Sequence, residues 1–82
     1  MLIATAAQLN KVFERNSTID IPEQRLFFSV IAQAVSDLKN EKGENRLSAQ
    51  RFIRSRDFDG YCAAVSLNAE WARKELIKHA GL

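Results

Sequence analysis

The side chains of this sequence best suited to chemistry are its guanidinium and ammonium groups. Arg51 and Arg54 are three residues apart, so on a helix they share a face, and Arg56 follows closely. Arg73, Lys74 and Lys78 form a second basic group, with Lys74 and Lys78 at the i, i+4 spacing. A guanidinium offers a planar fork of N–H donors that matches a phosphate, and an ammonium offers a compact charge. Both groups are therefore candidate clamps on a phosphodiester backbone. The competing description is an ordinary solvated surface, because Asp57, Asp59, Glu70 and Glu75 are interleaved with the cations. A few phosphate contacts without a dense basic patch imply weak, salt-sensitive affinity.

Other chemistries find little support. Cys62 and His79 could be imagined as nucleophile and base, but Cys62 falls on an apolar helix face, where a thiol is normally inert. Asp57 and Asp59 stand beside an expected helix start and read as capping residues. The three glycines, at 43, 60 and 81, form no phosphate-cradling loop. One cysteine and one histidine fall short of the four N or S ligands of a structural zinc. The expectation is a protein that is not an enzyme and uses no metal or cofactor.

Positioning these side chains requires helices. Leu2, Ala6, Leu9 and Phe13 fall on one helical face, and Asn16-Ser17-Thr18 ends that pattern. Asp20-Ile21-Pro22-Glu23 reads as a variant capping box with proline in the first turn. A broad apolar stripe follows through Leu26, Phe27, Val30, Ile31, Ala34, Val35 and Leu38 and marks the spine of the fold. Gly43 is the natural left-handed residue at its end. A shorter helix runs from Arg46 to Ser55, with Leu47, Ala49, Phe52 and Ile53 inward and Arg46, Gln50, Arg51 and Arg54 outward. Phe58 to Val65 forms a further helix, Ser66-Leu67-Asn68 a turn with Asn68 as N-cap, and Ala69 to Ala80 the last helix, ended by Gly81. No strand-like alternation interrupts this series.

Eighty-two residues make one domain, spanning 1–82. The predicted class is all-α: a small orthogonal array of about five helices with a C-terminal helix–turn–helix-like pair near 57–80. No apolar run approaches the roughly 20 residues of a membrane span. The apolar start lacks the basic residues and long apolar run of a signal peptide, and the lone cysteine fits a reducing compartment, so the cytoplasm is expected. Net charge is +2. Residues 1–43 hold five basic and five acidic side chains and residues 44–82 hold seven and five, so the whole excess lies in the C-terminal half. This permits nucleic-acid binding without demanding it.

Within the pair near 57–80, Cys62 is small where two helices would cross, and Val65, Leu67 and Ala72 are apolar where core contacts are needed. Ser66 stands where such a turn usually has Gly, so a left-handed backbone there costs about 1 kcal/mol or more. The aromatic residues mostly fall on apolar stripes. Phe28 and Trp71 lie towards the edges, and Trp71 beside Arg73 and Lys74 is either a lid on the small core or a protein-contact anchor.

The run Ser48-Ala49, Phe52-Ile53-Arg54-Ser55, Phe58, Tyr61-Cys62 and Val65 through Arg73, together with Ile31 to Leu38, resembles a pattern in small phage and prophage proteins. Ser66-Leu67-Asn68-Ala69 stands in for their Gly-Leu-Asp-Pro, so this Gly and Pro are both missing here. The resemblance covers roughly residues 26–78 and implies a phage-encoded accessory or regulatory protein with a helix–turn–helix.

Two functions of different class follow. The first is a small regulator docking the helix from Ala69 in the major groove of double-stranded DNA. In it Asn68, Glu70, Arg73 and Lys74 lie nearest the bases, Arg51, Arg54 and Arg56 hold phosphates, and Lys78 adds charge. A homodimer is expected with it, paired through the stripe of Leu2, Ala6, Leu9 and Phe13. The second is a modulator of a host or phage protein, working without DNA contact through Trp71, Phe28 and that same stripe.

Overall fold

Along the middle of the chain, Phe28, Ile31, Val35 and Leu38 recur at intervals of three and four residues, and all four are buried. That spacing is one face of a helix, and it organises the molecule. The structure is a computed structural model describing residues 5–80. It contains α1 (Ala6–Arg15), α2 (Pro22–Asn40), α3 (Glu44–Ile53), α4 (Arg56–Ala64) and α5 (Ala69–Ala80), with no strand among the described residues. The protein is all-α, and α2 packs against each of the other four helices.

Local chemistry starts each helix. Thr5 caps α1 in a reciprocal pair: its Oγ1 accepts from the Gln8 N–H (3.1 Å), and its own N–H donates to Gln8 Oε1 (2.8 Å). The Asp20–Glu23 box expected for α2 does not form. Ile21 holds the N-cap position without a side-chain acceptor, Pro22 needs none, and Gln24 Oε1 instead accepts from the N–H groups of Asp20 and Ile21. Gly43 has the expected positive φ, 65°, but it opens α3 rather than closing α2, which ends at Asn40.

Three expectations change with the packing. A helix buries only one face, and the apolar stripe of α2 is wider than that face. The buried arc is the one holding Phe28, so Phe28 is core and Leu26 is 65% exposed. Leu47 lies about 200° around α3 from Ala49, and it is exposed although it was expected inward. Ala6, Leu9 and Phe13 pack into the core, Phe13 completely, and the Phe13 ring meets Trp71 edge-on at 5.7 Å. The N-terminal dimer surface expected from Leu9 and Phe13 is therefore internal, and Leu2 lies outside the described residues.

The remaining ties run between distant parts of the chain. The Thr18 N–H donates to the Val65 carbonyl (2.6 Å), joining the α1–α2 link to the end of α4. Lys39 Nζ donates to the His79 carbonyl (2.6 Å) and Arg46 Nη2 to the Ala80 carbonyl (2.8 Å). Arg46 thus turns inward, against expectation, because the open carbonyls at the C-terminal end of a helix attract cations. No helix among the described residues is long and apolar enough to cross a membrane.

Cys62 sits fully buried on α4. Burial, opposed by Arg73 and reinforced by Asp59, pushes its thiol up from 9.0 to about 11. The folded chain holds this proton where the unfolded chain has released it, so stability is unaffected below pH 9 and falls between pH 9 and 11. Alkylation by iodoacetamide at pH 8 should be far slower for the native chain than in denaturant, and urea midpoints should decline above pH 9 but not below it.

Candidate nucleic-acid interface

The candidate site is built on α4, the turn at 65–68 and α5. Ser55 starts α4: its Oγ accepts from the Phe58 N–H (3.4 Å) and donates to the Phe52 carbonyl (2.7 Å). Phe58 and Cys62 then point inward and are fully buried. At the far end the Leu67 N–H donates to the Cys62 carbonyl (2.8 Å) and the Ser66 N–H to the Ala63 carbonyl (3.1 Å). This is the Schellman pattern, and it places Ser66 in the left-handed region at φ 57°. Leu67 folds back into the core as the apolar partner of that motif. Asn68 opens α5, its Oδ1 accepting from the Trp71 N–H (2.9 Å). The first and last helical residues of α5 match the sequence expectation.

The basic side chains divide into two sets. Arg73 is half-buried and tied to three helices. Its Nε donates to the Ile53 carbonyl (2.5 Å), its Nη2 pairs with Asp59 Oδ1 (2.5 Å), and its guanidinium carbon lies 5.2 Å from the centre of the Phe58 ring. One side chain thereby joins the end of α3, the start of α4 and the middle of α5. Two of its five N–H donors are thus engaged with a carbonyl and a carboxylate, which gives Arg73 a packing task besides the nucleic-acid contact expected of it. Asn68 uses its side-chain oxygen as a cap and retains only its amide N–H groups for contact.

Arg51, Arg54 and Arg56 form the other set. All three are exposed, and none makes an ion pair or side-chain hydrogen bond among the described residues. They bracket the α3–α4 junction: Arg51 in the last turn of α3, Arg54 as its C-cap, Arg56 as the first residue of α4. Of the nearby acids, Asp59 is already paired with Arg73. Lys78 is also exposed and unpaired among the described residues. Lys74 makes only an exposed pair with Glu70 (3.7 Å), worth at most a few tenths of a kcal/mol.

The surface assigned to a protein partner is reduced. Phe28, Leu9 and Phe13 are core, and Trp71 is half-buried with one edge against Phe13, which makes it mainly a lid on the core. The sequence reading missed the outer face of the α2–α3 pair, where Leu26 stands exposed beside a groove lined by Val30, Ala34, Ala49 and Phe52. The signal was the width of the α2 stripe, which exceeds what one face can bury. No group of His, Cys, Asp or Glu among the described residues is arranged to hold a metal ion. The chain matches no known protein family, and no curated protein or solved structure matches it either.

Two substitutions test the frame that carries this surface. Ser66→Gly relieves the left-handed backbone and should stabilise the chain by about 1 kcal/mol, raising the melting temperature by roughly 4–8 °C. Arg73→Ala removes a charged hydrogen bond to a backbone carbonyl and a ring contact, and should cost about 1–2 kcal/mol. Arg73→Lys should recover less than half of that loss, since an ammonium cannot reproduce the fork. Thermal unfolding followed by circular dichroism measures all three.

Proposed function

We propose that this chain is a small regulatory protein that binds double-stranded DNA through its α4–α5 pair, mainly by holding the phosphate backbone. The observation carrying this reading is the set of unpaired guanidiniums at the start of α4, beside a helix pair joined by a left-handed turn. In helix–turn–helix proteins the first helix of the pair crosses the backbone and the second enters the major groove. In that placement Arg54 and Arg56 lie at the phosphates, while the exposed side of α5 offers Lys74 and Lys78.

Base reading is expected to be modest. Arg73 and Asn68 have structural tasks, which leaves Glu70 and Lys74 as the exposed polar groups of the first turns of α5. Affinity then rests on charge, and charge is released from competition only at low salt. The alternative, a protein-binding modulator, retains little of its assigned surface beyond the outer part of Trp71.

Fluorescence anisotropy with a labelled random duplex tests the proposal. Four phosphate contacts give a slope of log K against log salt of about −3.6, a loss of roughly 150-fold between about 50 and 200 mM salt. The double variant Arg54→Ala/Arg56→Ala should reduce the slope to about −2, and the Lys double variant should retain most of it. Absence of binding at 50 mM salt, or an affinity indifferent to salt, would overturn the proposal.

A further inference from the structure

We propose that the groove between α2 and the exposed side of α4 binds a single unstacked nucleotide, as the end or a splayed base of a single strand offers it. The arrangement of its lining follows from helix geometry. Arg56, Gly60 and Ala64 are spaced by four residues, so they form one row along α4, and Asp57 and Tyr61 form the row beside it. Phe27 of α2 stands across from them, and together these side chains line a groove of about 440 Å³. That is the size of a small-ligand site.

Three features select the ligand. The first is aromatic. The Tyr61 ring meets Phe27 edge-on at 5.8 Å and Phe52 at 5.7 Å, so it is fixed before any ligand arrives. Tyr61 and Phe27 are both only half-buried, and their open parts offer a stacking surface to a flat heteroaromatic ring. The second is charge. Arg56, at one end of its row, is exposed and unpaired among the described residues, and its fork fits one phosphate. The Asp57 carboxylate and the Tyr61 hydroxyl also have no hydrogen-bond partner among the described residues, and both can accept from the N–H groups of a base edge. The third is Gly60. It is the fifth of the nine residues of α4, where glycine is the poorest helix former after proline. Its φ is not positive, and a Cβ there would meet nothing within 4 Å, so neither backbone nor packing requires a glycine. What the glycine does is keep the floor of the groove open.

An acidic peptide fits this groove less well. One cation beside a carboxylate repels a run of anionic side chains, whereas one phosphate and a ring bearing N–H donors match Arg56 and Asp57 in turn. The site shares Arg56 with the duplex contact proposed above but does not depend on it, since a free nucleotide presents no groove to α5. One stacked base and one charge-assisted contact give a dissociation constant of about 1 mM for a mononucleotide.

Titration of the isotope-labelled chain with the four nucleoside monophosphates, followed by amide NMR at low salt, tests the proposal. The peaks of Phe27 and of residues 56–64 should shift, with half-saturation at about 1 mM. Ribose phosphate and the phosphate-free nucleosides should each bind at least about tenfold more weakly. Gly60→Leu fills the floor of the groove with a better helix former. It should raise the melting temperature by a few degrees and still weaken nucleotide binding at least about tenfold, so the loss is not one of folding. Tyr61→Phe should keep most of the affinity. The double variant Lys74→Ala/Lys78→Ala should weaken duplex binding and leave mononucleotide binding as it is, so the two readings fail separately. Absence of shifts at about 10 mM nucleotide would overturn the proposal. So would ribose phosphate that binds as well as the nucleotides, a Gly60→Leu chain that binds normally, or an acidic aromatic peptide that shifts the same peaks at lower concentration than any nucleotide.

Discussion

A single helix face has to serve four partners. α2 packs against all four of the others, and it buries Phe28, Ile31, Val35 and Leu38 along that face. The other helices have 9 to 12 residues, lengths at which an isolated helix is marginal in water. Their helicity is held by what they bury against α2 and against one another. The buried face of α2 therefore decides where each neighbour lies and, through α3 and α4, where the unpaired arginines emerge.

Because the short helices have little stability of their own, their ends are held by distant residues. The Val65 carbonyl takes the Thr18 N–H, the last carbonyls of α5 take Lys39 and Arg46, and the Ile53 carbonyl at the end of α3 takes Arg73. In each case a backbone group left over at a helix end finds a donor from elsewhere in the chain. Three cations are withdrawn from the surface in this way, so net charge overstates what the molecule shows to a partner. The remaining positive surface is concentrated where α3 gives way to α4.

The helices themselves were legible from sequence. Spacing, capping residues and turn residues are local, so five elements could be placed within a few residues, and both ends of α5 were correct. The azimuth of α2 was less so: its stripe is too wide to say which arc goes inward, and packing chose the arc with Phe28 over the one with Leu26. The role of Arg73 was not readable, because it depends on Asp59 and on a carbonyl twenty residues away meeting at one point. Arg46 escaped for the same reason. Whether Arg54 and Arg56 stay unpaired was left open by the sequence, because Asp57 and Asp59 stand close by; in the fold Asp59 goes to Arg73 instead.

The edge contact between Phe13 and Trp71 has a practical consequence for spectroscopy. Trp71 is the only tryptophan, and its ring touches the one aromatic residue of α1. Its intrinsic emission therefore reports whether the N-terminal helix is seated and, through the exposed part of the ring, what touches the start of α5. A variant that unseats α1 without altering α5 separates the two contributions.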